Sequence, residues 1–180
     1  MHYQDVIDFW FVEKGEAAWW QKSASFDAEV RTRFGGVHAS VVAGEMAHWR
    51  VLPEGRLAEI IVLDQFSRNM YRGGARAFAC DPLALTLAEK AVEAGALEAL
   101  EVVKKPFLIM PYMHSESRAV HREAVTLFAS DPDMAHSLDF EHRHKAIIDR
   151  FGRYPHRNVL LGRESSAEEL AFLREPGSSF

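Results

Sequence analysis

The sequence predicts an all-α protein built from successive antiparallel helix pairs. Two observations carry that prediction. Apolar residues recur three and four positions apart in almost every segment, as in Phe26, Val30, Phe34, Val37 and Val41, and no stretch alternates apolar and polar residues with the period of two that a strand needs. Helix punctuation then recurs along the chain as Gly15, Gly44, Pro53, Gly73-Gly74, Asp81-Pro82, Gly95 and Asp131-Pro132.

Taken in order, Val6, Ile7, Phe9, Trp10 and Phe11 form a short aromatic helix that Gly15 ends. Ser25 or Asp27 is expected to cap a helix running to about Val42, with 48–55 as a connection broken by Pro53 and Gly55. Residues 56–71 are apolar nearly all round, which marks a central helix. Asp81 caps the next, with Pro82 at its first position and Gly95 as its stop. A shorter helix is expected over 97–103. The segment Phe107–His114 is bracketed by prolines and reads as too interrupted for a long helix. Ser115-Glu116-Ser117 starts another helix, and a long one covers about 134–151, with Glu141 and Lys145 paired four apart. Ser165 or Ser166 caps the last helix, with Glu168 or Glu169 three positions on.

A chain of 180 residues suits one domain, 1–180, with a substantial core. With 48% hydrophobic and 26% charged residues, disorder is not expected. A net charge of -5 argues against nucleic-acid binding. Cys80 is the sole cysteine, so an internal disulfide and a Cys-based zinc site are both out of reach, and the residue reads as small and buried. The N-terminus carries Asp5 and Asp8 where a signal peptide would be basic, and no apolar run approaches the ~18 residues of a membrane span. A cytoplasmic protein without membrane contact is the expectation, and no cofactor is called for. Nothing in the sequence sets an oligomeric state.

Polar residues inside apolar runs are the candidates for function. On the central helix, Asp64, Arg68 and Arg72 lie four apart, with Gln65 and Asn69 beside them. Asp before Arg at that spacing is the favourable order for an ion pair, and a buried charge needs a partner. A second concentration, Asp149 to Arg163, sets Arg150, Arg153, His156, Arg157 and Asn158 around Gly152 and Pro155. The two stretches share Asp, Phe, Arg-Asn and Gly-Arg chemistry and are expected to form one centre.

Several of these motifs together resemble a bacterial family of unknown function, numbered 924. They are Phe9-Trp10-Phe11, the run from Leu63 to Gly73, Phe78-Ala79-x-Asp81-Pro82, Pro111-x-x-His114-Ser115-Glu116, and Arg150 to Arg163. The match extends to the closing Ser-x-x-Glu-Glu-Leu and to Phe180. One departure is Ser67, where the family usually has proline. The resemblance implies a right-handed α-α superhelix of antiparallel helix pairs, similar to tetratricopeptide repeats. It implies no activity.

Three functional readings follow from the residues. The favoured one is a binding module in which Arg68, Asn69, Arg72, Arg150, Arg153, His156, Arg157 and Asn158 line a pocket for a small anionic molecule or a peptide carboxylate, since guanidinium forks match such groups. The second is an acid–base enzyme using His144, His156 or His114 with Asp64 or Glu116. The third is a scaffold whose polar network only satisfies buried groups. His114, Glu116, His144 and His156 show no close-spaced ligand pair, and nearby arginines would repel a cation, so no metal site is expected. Ser115 and Ser117 sit in no nucleophile-elbow pattern.

Overall fold

In the computed structural model, which describes residues 1–179, all the regular structure is helical and no strand occurs among those residues. Phe180, the last residue of the resemblance, lies outside the described residues. The chain gathers into two compact units. The first takes Met1–Arg72 with Arg76–Pro111, and the second takes Gly73–Ala75 with the residues from Tyr112 onward. Among the described residues, no helix is long and apolar enough to cross a membrane.

In the first unit, α1 covers Tyr3–Ile7 and opens with a reciprocal cap. The His2 ring accepts the Gln4 N–H, and the Asp5 carboxylate accepts the His2 N–H at 2.7 Å. It widens into π-helical turns over Asp8–Lys14 and stops at Gly15, whose φ of 65° suits a residue without a side chain. After α2, Glu16–Trp19, the long α3 spans Ala24–Val42. Ser23 caps it, ahead of Ser25 and Asp27, because its hydroxyl reaches the Phe26 N–H. Gly35 and Gly36 are carried inside α3, where burial of the neighbouring Phe34 and Val37 overrides their weak helix propensity, and the helix ends at Val42 as its apolar spacing predicts.

The central run is α4, Pro53–Ile61, a π-helical stretch at Val62–Phe66, and α5, Ser67–Met70. Ile60, Ile61, Val62, Leu63 and Phe66 are all fully buried, as an apolar circumference requires. Gly55 is not a breaker. It lies inside α4 against the Trp49 carbonyl, where a Cβ would sit 2.0 Å from the oxygen. Phe9, Phe34 and Phe66 pack in sequence as tilted rings with centroids 4.7 and 4.8 Å apart, and Trp10 meets Phe66 edge-on at 5.7 Å. Such pairs add roughly 0.5–1.5 kcal/mol each beyond burial. The unit is completed by α6, Asp81–Glu93, and by α7, which covers Ala96–Ala99 rather than 97–103. Helix α8, Lys105–Met113, turns the stretch between the prolines into a nine-residue helix with Pro106 in its first turn.

The second unit contains α9, Arg118–Phe128, capped by Ser117; α10, Ala135–Phe151; and α11, Ala167–Phe172. Arg118 meets Asp149 while His121 meets Glu141, so α9 and α10 run antiparallel. Gly152 ends α10 at φ 71°. Ser166 caps α11 in a full capping box with Glu169, one of the two serine–glutamate pairs anticipated. Ile147, Ile148, Tyr154 and Phe172 form this unit's core, with Phe151 against it.

Candidate functional site

In the first unit, Asp64 is 1% exposed and forms an ion pair with Arg68 one turn on at 2.9 Å. Arg68 also grips Asp81 with both terminal nitrogens, at 2.9 and 3.1 Å. Asp81 therefore anchors a guanidinium at the start of α6 rather than capping it, and the residue ahead of the helix is Cys80. Arg72 departs from the face expected of it. The helix ends at Met70, and Arg72 forks onto Asp27 of α3 at 2.6 and 2.8 Å, where Asn69 joins it at 2.8 Å. Burial raises the Asp27 pKa, but hydrogen bonds from Arg72 and Asn69 outweigh it, and the carboxyl stays below its usual range. Cys80 is half-buried beside His38, and burial pushes its thiol up, away from reactivity.

The second unit gathers the histidines. Tyr154, fully buried, has the ring of His156 at 5.5 Å, that of His144 at 5.8 Å and that of His121 at 6.3 Å. His144 Nδ1 donates to the Phe140 carbonyl at 2.8 Å, and burial, reinforced by His114, His121 and His156 nearby, holds its pKa at about 3. At neutral pH it is therefore the uncharged imidazole, with its one hydrogen on Nδ1.

The arginines from the end of α10 onward are engaged with this chain's own acids and rings. Arg153 forks onto Glu169 at 2.6 and 2.8 Å, and together with the Ser166 N–H it holds that buried carboxyl at about 2. Arg157, itself buried, lays its guanidinium 4.6 Å from the Tyr154 ring centre. Arg150 bonds Glu168 at 2.8 Å and stacks on Phe151, with both ion-pair partners exposed. Asn158, fully buried, donates to Ser165 and accepts from Arg163. Glu116 takes both Arg163 nitrogens at 2.6 and 2.9 Å and the Tyr154 N–H at 2.7 Å. Burial raises its pKa, but these donors outweigh it and keep the carboxylate charged.

Sequence reasoning passed over His121 and Glu141. Glu141 does not pair with Lys145, which reaches Asp149 instead at 2.5 Å. It is wholly buried and meets His121 Nδ1 at 2.7 Å. His121 Nε2 faces the Ser115 carbonyl at 2.8 Å, an oxygen that only accepts, so Nε2 carries hydrogen. A further proton must then lie between Nδ1 and Glu141, and burial raises the Glu141 pKa in keeping with that. The signal was available: His121, Ala124 and Phe128 make one buried stripe, and Glu141, His144 and Ile148 make the facing one. Among the described residues, no three His, Cys, Asp or Glu side chains are grouped to hold a metal ion.

Along the outer side of α10 runs a groove of about 520 Å³ with Ile147, Phe151 and Phe172 in its walls and Arg143 and Arg150 among its lining. Arg143 bonds Asp139 in an exposed pair.

Compared with known proteins, residues 6–177 match the family described as bacterial protein of unknown function, DUF924. The chain belongs to that family. This DUF924 member is also similar to a solved structure of a protein of unknown function from Agrobacterium tumefaciens, with 34% identity over 96% of each chain and a TM-score of 0.88. No curated protein matches it.

Proposed function

We propose that this DUF924 member is a binding module that takes a small organic carboxylate on an apolar body, or the carboxylate of a peptide, in the groove outside α10. The observation that carries this is the joint presence of apolar walls and the arginines Arg143 and Arg150 around one concavity of about 520 Å³, a size within the range of small-molecule sites. Arg153 and Arg163 hold Glu169 and Glu116, Arg157 lies against the Tyr154 ring, Asn158 bonds Ser165 and Arg163, and in this reading all four support the groove rather than touch the ligand. Arg143 and Arg150 are different. Their partners Asp139 and Glu168 are exposed, and such pairs are worth only about 0–1 kcal/mol, so a ligand carboxylate can replace them.

The acid–base alternative gains from the convergence of His144 and His156 on Tyr154. It loses strength at His144, since a pKa of about 3 makes a poor base at pH 7. Binding is the better reading.

The test is thermal stabilisation by a panel of medium-chain and aryl carboxylates, with their amides as controls. A ligand at a hundredfold excess over its Kd should add about 2.7 kcal/mol. The acids should raise Tm and the amides should not, and Arg150→Ala should abolish the gain while leaving the apo Tm nearly unchanged. Collapse of the apo protein in Arg150→Ala would favour the scaffold reading.

A further inference from the structure

Between α9 and α10 lies a second depression of about 420 Å³, bordered by Arg122 and Val125 from one helix and by His142, Lys145 and Asp149 from the other. Ala146 borders both this depression and the carboxylate groove, but no charged residue is shared. We infer that this depression is a site for a phosphate-class anion, held between Arg122 and Lys145 with His142 alongside.

The charges argue for it. The Arg122 guanidinium makes one long bond, to the Arg118 carbonyl at 3.3 Å, and forms no ion pair among the described residues. Arg122 is exposed at the rim, which leaves most of its donors available, and a guanidinium fork can grip an oxyanion with two parallel bonds. His142 is exposed on the same wall. The one carboxylate at the rim, Asp149, is already matched by Lys145 at 2.5 Å, and the Arg118 guanidinium donates to its backbone carbonyl at 3.0 Å. The depression is therefore net positive on a chain of net charge -5. Val125 and Ala146 give the walls an apolar surface that strengthens the field inside. A phosphoryl group, with more acceptor oxygens and a larger charge than acetate, can engage the Arg122 fork and still accept from Lys145.

The chemistry is common to free phosphate and to the phosphoryl group of a small phosphorylated molecule. A heteronuclear NMR titration of the full chain separates them, using inorganic phosphate, glycerol phosphate and, at matched ionic strength, acetate. Saturable shifts centred on Arg122, His142 and Lys145 are expected with a Kd in the millimolar range, and Arg122→Ala and Lys145→Ala should each weaken binding about tenfold. Arg174→Ala, which removes the same charge from the C-terminal segment, should not. Tighter binding of glycerol phosphate assigns the site to phosphorylated molecules, and tighter binding of phosphate assigns it to the free ion. Equal shifts with acetate, shifts that never saturate, or binding unaltered in Arg122→Ala would overturn the inference. If Arg122→Ala alters the melting profile, Arg122→Gln keeps the methylene stem and a polar end without the charge, and decides the matter. None of these results depends on carboxylates binding in the other groove.

Discussion

Glu141 and His121 form the most demanding contact at the scale of single residues. Both side chains are fully buried, and Glu141 Oε2 has no hydrogen-bond partner among the described residues. A buried pair of this kind loses about 3–5 kcal/mol when one member is removed, because the other is left uncompensated. His121→Ala is therefore expected to lower the unfolding free energy by about that amount in a urea titration. Glu141→Gln, which keeps a donor toward Nδ1, should lose much less. Equal losses in the two variants would show that packing matters here rather than the shared proton. The sequence places both residues on helical faces, but only the antiparallel docking of α9 on α10 brings 121 and 141 together.

At the scale of elements, the central helical run decides the character of the first unit. Its apolar circumference is legible from residues 56–71 alone, and so is the Asp64–Arg68 pair. The π-helical stretch at Val62–Phe66 is not, since no local residue signals it, and with the end at Met70 it sends Arg72 to Asp27. Gly55 departs from its expected role for a similar reason. In sequence a glycine after a proline is a breaker, yet here it lets α4 pass the Trp49 carbonyl. The obstacle is backbone, which cannot swing aside as a side chain would. Gly55→Ala should therefore destabilise, against the ~1 kcal/mol stabilisation that Gly→Ala gives in an unobstructed helix. Chemical denaturation of the variant checks the sign, and a neutral or stabilising result would contradict the tight approach.

At the scale of the whole molecule, the titrating groups predict how stability depends on pH. His144 is unprotonated in the folded state down to about pH 3, whereas the unfolded chain takes up that proton near pH 6.5. Between those values the unfolded state binds more protons, so stability falls as pH drops, with His144 contributing at most about 1.4 kcal/mol per pH unit and His38, lowered by burial and by Arg76, acting in the same direction. Glu169, held at about 2 by Arg153, adds to the loss below its ordinary range, while Glu141, shifted upward, opposes it. Unfolding free energies should decline from about pH 6.5 downward, and His144→Gln should flatten the upper part of that slope. We propose that residues 1–180 respond as the single domain anticipated, with one calorimetric transition whose enthalpy equals the van't Hoff value. The sequence by itself determined the all-α class, the family, several helix ends and some of the acids and bases that had to be paired, Asp64 and Arg68 among them. Those depend on spacing and local capping, which a linear chain displays. Only the tertiary structure decided who pairs with whom: Arg163 with Glu116, Arg153 with Glu169, Arg72 with Asp27, His121 with Glu141. Those partners are 16 to 47 positions apart, and a buried charge is satisfied by whichever opposite group the packing of helices brings within about 3 Å, a distance that sequence spacing does not encode.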